Sequence, residues 1–273
     1  MMNTNNLEHI DCPICEEDKS ELLFEKDALS VVICKECRLR YVNPRVNRQT
    51  LEAEYSETYY PPDKVERIRT DSMEWLQMNE RLTELEKQHP SKGRLLDVGC
   101  GIGTFLHLSR EHGWEPHGID PSKSGSAFAE KKYKLDVRCA DIFEGDFPSA
   151  SFDAITLYHV LEHISELNPF LKELRRVLKP GTGTLVIEVP NGESLQSRLQ
   201  KSDWPYVHPH DHLYYFSAHS LPKLLRKHGF QSVRLGKPKR VSPRIGLRFA
   251  MRQVATAGLV RFHLGTVIRV YAS

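Results

Sequence analysis

Leu95-Leu96-Asp97-Val98-Gly99-Cys100-Gly101-Ile102-Gly103 joins a short apolar run to three glycines at alternate positions, and acids follow at Asp120 and Asp141. Glycine lets a backbone come close to a ligand and aim helix N-terminal amides at it. Asp97 ends the run before the glycines and is read as bracing their loop. Asp120 ends the next predicted strand, and Asp141 closes a third. Such a ladder suits a ligand containing adenosine, with one carboxylate on the ribose hydroxyls and one near the adenine amine. A nicotinamide-binding unit also pairs glycines with a ribose acid. Its Gly-x-Gly-x-x-Gly spacing fails here, because Thr104 or Leu106 stands where the third glycine belongs.

Two further groups of residues carry chemistry. Tyr158-His159-Val160-Leu161-Glu162-His163 follows the fourth apolar run, and His208-Pro209-His210-Asp211-His212 comes later. Histidines clustered in this way suit general-base chemistry or divalent-metal binding. Nearer the amino terminus, Cys12-Pro13-Ile14-Cys15 and Cys34-Lys35-Glu36-Cys37 are separated by 18 residues. Two such knuckles predict a zinc ribbon held by Cys12, Cys15, Cys34 and Cys37. Four thiolates leave a tetrahedral zinc no open position, so this metal is structural.

At the glycine and acid positions the chain resembles the seven-stranded S-adenosylmethionine-dependent methyltransferases. Asp97-x-Gly99-x-Gly101-x-Gly103 matches their first motif, Asp120 falls at the ribose acid and Asp141-Ile142 at the adenine contact. Ser151-Phe152-Asp153-Ala154-Ile155 fits their fourth strand, and Leu178-Lys179-Pro180-Gly181-Thr182-Gly183 the turn before the fifth. The resemblance implies an α/β, doubly wound, mostly parallel seven-stranded sheet with its last strand antiparallel. It implies S-adenosylmethionine as methyl donor, with contacts at Asp97, Gly99, Gly101, Gly103, Asp120, Asp141, Ile142 and Tyr158.

Val160-Leu161-Glu162-His163 is similar to a segment of ubiquinone-biosynthesis O-methyltransferases and small-RNA 3′-end methyltransferases, in which Glu-x-x-Glu-His and a later His hold a divalent cation. Here His159 replaces the first Glu, while Glu162, His163 and a later partner, His210, remain. Three readings stay open. These residues position or deprotonate an acceptor, with His163 as first choice of base and His159 or His210 as alternatives; they bind a second divalent metal; or they make structural hydrogen bonds at the sheet edge. The knuckles followed by Asn43-Pro44-Arg45 resemble the openings of bacterial methyltransferases tied to surface-polysaccharide genes. The reading that results is O-methylation of a sugar or other small anionic metabolite. Nucleotide-sugar C-methylation, RNA methylation and a non-catalytic donor-binding scaffold are the alternatives.

The elements that must position these residues follow from periodicity. Residues 1–45 form the ribbon, with short strands at Leu22-Leu23-Phe24 and Val31-Val32-Ile33. Residues 46–90 form a linker bearing Tyr55, Tyr59, Tyr60, Pro61 and Pro62, then an amphipathic helix from Lys64 to His89 with Val65, Ile68, Trp75, Met78, Leu82 and Leu85 on its apolar face. The resemblance implies that this stretch lids the ligand cleft. Residues 91–273 alternate strand and helix, as a parallel sheet with crossover helices requires. Strands are predicted near 94–98, 115–119, 135–140, 152–158, 183–189, 230–235 and 266–271, and helices near 103–112, 122–132, 166–178 and 217–228.

Composition is ordinary for a globular chain, with 40% hydrophobic and 27% charged residues among 273. No apolar run approaches the roughly 18 residues that span a bilayer. Residues 1–10 lack the apolar core of a secretion signal, and the cysteine usage suits a reducing cytoplasm. The net charge of +2 hides an asymmetry: His212 to Ser273 holds twelve Lys or Arg and no Asp or Glu. A basic insertion at about 238–263, with Arg244, Arg248, Arg252 and Arg261, predicts either a solvated face or attraction to an anionic acceptor, a membrane surface or RNA.

Overall fold

The computed structural model describes residues 6–51, 72–238 and 265–273. The five tyrosines and prolines of the linker, Val65, Ile68, and the insertion with Arg244, Arg248, Arg252 and Arg261 lie outside the described residues.

The amino-terminal strands are β1 (Leu7–Glu8), β2 (Ser20–Lys26), β3 (Leu29–Cys34), β4 (Arg40–Val42) and β5 (Arg45–Val46). β2 and β3 form a hairpin around the two predicted strand cores, and β4 adds to β3. After helix α1 (Met73–Glu86) come β6 (Arg94–Val98), α2 (Thr104–Glu111), β7 (Glu115–Ile119), α3 (Lys123–Tyr133), β8 (Val137–Arg138) and β9 (Ala154–Tyr158). The chain continues through α4 (Leu167–Val177), β10 (Thr184–Pro190), α5 (Leu195–Gln200), β11 (Tyr214–Tyr215), α6 (Ser220–Lys227), β12 (Val233–Leu235) and β13 (Val267–Ala272).

The main sheet has seven strands in the order β12-β13-β10-β9-β6-β7-β8. β13 runs antiparallel to both its neighbours, and the strands from β10 to β8 are parallel. The central strands β6, β9 and β10 are covered on both faces and are largely apolar and buried. Leu95 and Ala154 face Leu82 and Leu85 of α1 and Phe105 of α2, whereas Leu96, Ile155 and Leu157 face the opposite layer. There α4 buries Leu167, Phe170, Leu171, Leu174 and Val177, spaced as an amphipathic helix demands. Ser72 caps α1 by accepting the Trp75 N–H at 3.2 Å. β8 covers less than the predicted 135–140, because at the sheet edge it pairs only with β7, through Val137 and Arg138.

α5 and β11 had no counterpart among the predicted elements. β11 leaves the main sheet and pairs antiparallel with β4, giving a second, four-stranded sheet in the order β11-β4-β3-β2. The ribbon therefore shares one core with the larger unit. Leu29, Val31 and Leu39 belong to the same buried cluster as Leu161, Trp204, Tyr214 and Phe216.

Candidate active site

β6 delivers the glycine turn to the carboxyl edge of the sheet. Gly99, Gly101 and Gly103 all have positive φ, at 71°, 56° and 75°, a region that L side chains seldom adopt. A Cβ on Gly99 would stand 2.4 Å from Val160 Cγ2, and one on Gly103 2.8 Å from Ala129 Cβ. The close approach at Gly99 means that the turn packs directly on the segment carrying Glu162 and His163. Gly103 brings no capping side chain to α2, which leaves first-turn amides available to a ligand.

Asp120, 5% exposed, closes this turn. Its two oxygens accept the N–H groups of Gly101 at 2.8 Å and Ser122 at 2.9 Å, and burial raises its pKa. Asp97 instead accepts the Thr156 hydroxyl at 2.6 Å. Burial, partly opposed by that bond, pushes its carboxyl up to about 7. The glycine loop is thus braced by Asp120, and Asp97 ties β6 to β9. Asp141 Oδ1 accepts the N–H groups of Phe143 and Glu144 at 2.8 and 2.9 Å, and its Oδ2 lies 3.6 Å from Arg48. Ile142 is buried beside it. The Tyr158 ring stands edge-on to Phe105 at 5.1 Å beneath the Arg81 guanidinium, with its hydroxyl buried and unpartnered.

Leu161–His163 forms one 3-10 turn after β9. His159 precedes it in a left-handed conformation, φ 59°, and lies between two buried acids: its Nδ1 is 3.5 Å from Glu162 and its Nε2 3.8 Å from Glu188. Glu162 is 1% exposed, and neither of its oxygens receives a hydrogen bond; the His159 contact is too long for one. Burial raises the Glu162 carboxyl, but the surrounding His159, His163 and His212 outweigh it and leave the group below its usual range. His163 Nδ1 lies 3.0 Å from the Asp211 carbonyl. That nitrogen therefore carries the proton, and Nε2 bears the ring's lone pair. Burial lowers the His163 pKa and pushes His212 down to about 4, which keeps both rings neutral near pH 7.

Ligand atoms of Glu162, His163 and His212 lie within 4.8 Å of one another. The later histidine drawn into the cluster is thus His212, whereas His210 Nδ1 lies 3.1 Å from its neighbour Asp211. A carboxylate and two imidazoles form a donor set suited to a divalent cation, and the undonated Glu162 oxygens fit that role.

The four ribbon cysteines also converge. Their sulfurs lie within 4.8 Å of one another, with Cys12 and Cys37 3.5 Å apart. A zinc tetrathiolate with bonds of about 2.3 Å has sulfur–sulfur edges of roughly 3.8 Å, so the donor set fits zinc.

A buried charge network escaped the sequence reading. Glu188 receives Arg81 at 2.5 Å and Arg269 at 2.6 Å, and Arg269 also reaches Glu80 at 2.6 Å. An acid inside the apolar strand Leu185-Val186-Ile187-Glu188-Val189 and an arginine inside Val267-Ile268-Arg269-Val270 were the available signal, since such groups are seldom buried unpaired.

A family model described as a methyltransferase domain matches residues 71–235. The chain belongs to the methyltransferase-domain family. A ubiquinone biosynthesis O-methyltransferase of Bradyrhizobium sp. (strain ORS 278) is 38% identical over 103 residues, covering 36% of this chain. The chain spans about 40% of that relative's length. Among solved structures, an S-adenosylmethionine-dependent methyltransferase from Archaeoglobus fulgidus superposes with a TM-score of 0.53 at 25% identity, covering 74% of this chain and 94% of its own. Phosphoethanolamine N-methyltransferase 2 of Haemonchus contortus, solved with S-adenosyl-L-methionine, gives 0.56 at 19% identity over 85% of this chain and 61% of its own, a likeness of fold. These likenesses show that the chain has the fold of these methyltransferases.

Proposed function

We propose that this methyltransferase transfers the methyl group of S-adenosylmethionine to a hydroxyl of a sugar or small anionic metabolite. The observation that carries the reading is the direct packing of the Gly99 turn on Val160, which supports a donor site next to the Glu162–His163–His212 cluster. The Gly99–Gly103 turn, Asp120, Asp141, Ile142 and Tyr158 bound the donor side, and Asp97 stiffens the strand that carries them. The donor supplies an activated methyl on a sulfonium. The chain's task is then to hold the acceptor oxygen in line with it and take up the hydroxyl proton. His163 Nε2, neutral near pH 7, suits that base, with His159 and His210 at the rim. Likeness to ubiquinone O-methyltransferases supports oxygen as the accepting atom. The ribbon followed by Asn43-Pro44-Arg45 supports a place in surface-polysaccharide synthesis in the cytoplasm. Among the described residues no helix is long and apolar enough to cross a membrane.

The unpartnered Glu162 oxygens favour a second reading, in which Glu162, His163 and His212 hold a divalent cation that orients the acceptor hydroxyl. Both readings are tested with His163→Ala and an acceptor screen using labelled donor. Turnover falls by about 100-fold or more while donor affinity measured by calorimetry stays within twofold. Loss of activity on chelation, restored by added metal, selects the cation; indifference to chelation selects the base. Wild-type turnover in the variant removes both roles.

A further inference from the structure

The seam between the ribbon sheet and the segment after β10 leaves a half-open pocket of about 10 Å³, room for a single oxygen-sized group. Three hydrogen-bond donors without acceptors belong to residues on its wall. Arg40, at the start of β4, gives one guanidinium nitrogen to the Gly192 carbonyl, but its Nε is buried with no partner. Trp204 and Tyr215, 1% and 4% exposed, have an indole N–H and a hydroxyl that are likewise buried and unpartnered. The exposed Lys201 also lines the cavity. Ser197, the remaining polar side chain there, has its hydroxyl within hydrogen-bonding distance of the carbonyls of Gly192 and Ser194.

Arg40 forms no ion pair among the described residues. The acid it senses is Glu193, which lies 3.8 Å from Arg198. A guanidinium stays charged at any physiological pH, and buried donors that forgo water are seldom left without an acceptor. An acceptor-only group of negative charge would satisfy all three donors and the guanidinium charge at once. We propose that this cavity is an oxyanion site, in which one oxygen of a phosphoryl group accepts from Arg40 Nε, Trp204 Nε1 and the Tyr215 hydroxyl while the rest of the group faces Lys201. The site stands independently of the acceptor chemistry proposed above, yet it adjoins the same loop. Between Trp204 and Val207, both on the cavity wall, lies Tyr206, whose ring stacks on His159 with centroids 6.4 Å apart.

The test follows the Trp204 indole ¹⁵N–¹H resonance of the full chain, assigned by its disappearance in Trp204→Phe. Inorganic phosphate and glucose 1-phosphate are titrated separately at low ionic strength. The expected result is a saturable shift with one or both, weakened at least tenfold in Arg40→Gln and in Tyr215→Phe. The Tyr215→Phe variant keeps the ring and its packing, and an unchanged spectrum elsewhere certifies its fold. A shift with glucose 1-phosphate alone supports the site and assigns the phosphoryl group to a larger ligand. No shift at roughly 50 mM of either ligand, too weak for a working site, overturns the proposal. So does a shift that both variants leave intact, or a bound water giving an indole–water Overhauser effect that phosphate does not displace.

Discussion

Asp120 illustrates how a buried carboxylate serves two ends. Its oxygens accept from Gly101 and Ser122, which fixes the glycine turn before any ligand arrives, and each oxygen keeps a further lone pair for a ribose hydroxyl. Asp120→Ala removes brace and ligand contact together. Charge-assisted bonds of this kind contribute roughly 1.5–3 kcal/mol, so donor affinity should fall at least tenfold by calorimetry. Asp120→Asn, which keeps one acceptor oxygen, should fall less. Equal affinity in wild type and Asp120→Ala would exclude the assignment. At the same scale His212 displaces His210 for a reason of connectivity. The Leu213 N–H donates to the Glu162 carbonyl at 2.8 Å, and the Asp211 carbonyl lies beside His163; together these hold His212 against the 3-10 turn. Three histidines at alternate positions look alike in one dimension, and only the partner of Leu213 distinguishes them.

Among the elements, the short linkage between cysteines and histidines matters most. From Cys37 the chain enters β4 within three residues, β4 pairs with β11, and His212 stands two positions before β11. Val42 N–H meets the Leu213 carbonyl at 2.9 Å, and the buried Arg45 reaches the Tyr214 hydroxyl at 2.6 Å and the Ser165 carbonyl at 2.8 Å. Zinc at the knuckles would thus hold the acceptor-side histidines as well as the ribbon. With Cys34→Ser, zinc content by elemental analysis should fall well below one equivalent. Histidine NMR signals of the 208–212 loop should broaden, while donor affinity stays within a few-fold, because the glycine turn hangs from β6 and β7. Unperturbed histidine signals in a zinc-free variant would show that the ribbon folds apart from the site. This linkage was not legible in the sequence. β6 could be read residue for residue, since an apolar run ahead of glycine punctuation announces a buried parallel strand, and β7 was placed by Asp120 at its end and not by an apolar pattern. Tyr214-Tyr215 is too short for periodicity to reveal, and its partner lies more than 170 residues away. The knuckles, glycines and acids were legible because their chemistry fixes their spacing. The contact between the two sheets depends on a fold-wide register that no local pattern encodes.

Over the whole molecule, α1 is bound to β10 and β13 by charge as well as by Leu82 and Leu85. Burial raises the Glu188 carboxyl, but Arg81 and Arg269 outweigh it and hold the group at about 2 against an ordinary 4.5. Its folded pKa is depressed, so its contribution to stability is complete above 4.5 and is lost as pH falls through 2. The size is on the order of 3 kcal/mol. Asp97 has the opposite sign. Raised from 3.8 to about 7, it favours the fold most below 3.8, and that contribution is lost as pH rises through 7. Melting temperature against pH should therefore decline on both sides of a mildly acidic optimum. Glu188→Gln should flatten the acid limb and Asp97→Asn the limb near neutrality. An acid limb unchanged in Glu188→Gln would assign it to other carboxylates. Arg269→Met, which takes from Glu188 one of its two guanidinium partners and leaves Arg81 in place, should lower the melting temperature measurably at neutral pH.

The pairing of β11 with β4 also bears on how this chain behaves when cut. A fragment starting at residue 72 would retain the whole seven-stranded sheet and every glycine and acid of the donor turn. It would also bare the backbone edge of Tyr214–Tyr215 that β4 now covers, together with the apolar surface now shared with Leu29, Val31 and Leu39. An unpaired strand beside an uncovered apolar patch is a template for self-association. The ribbon is therefore also a guard on solubility, and the smallest well-behaved unit of this methyltransferase begins ahead of Cys12.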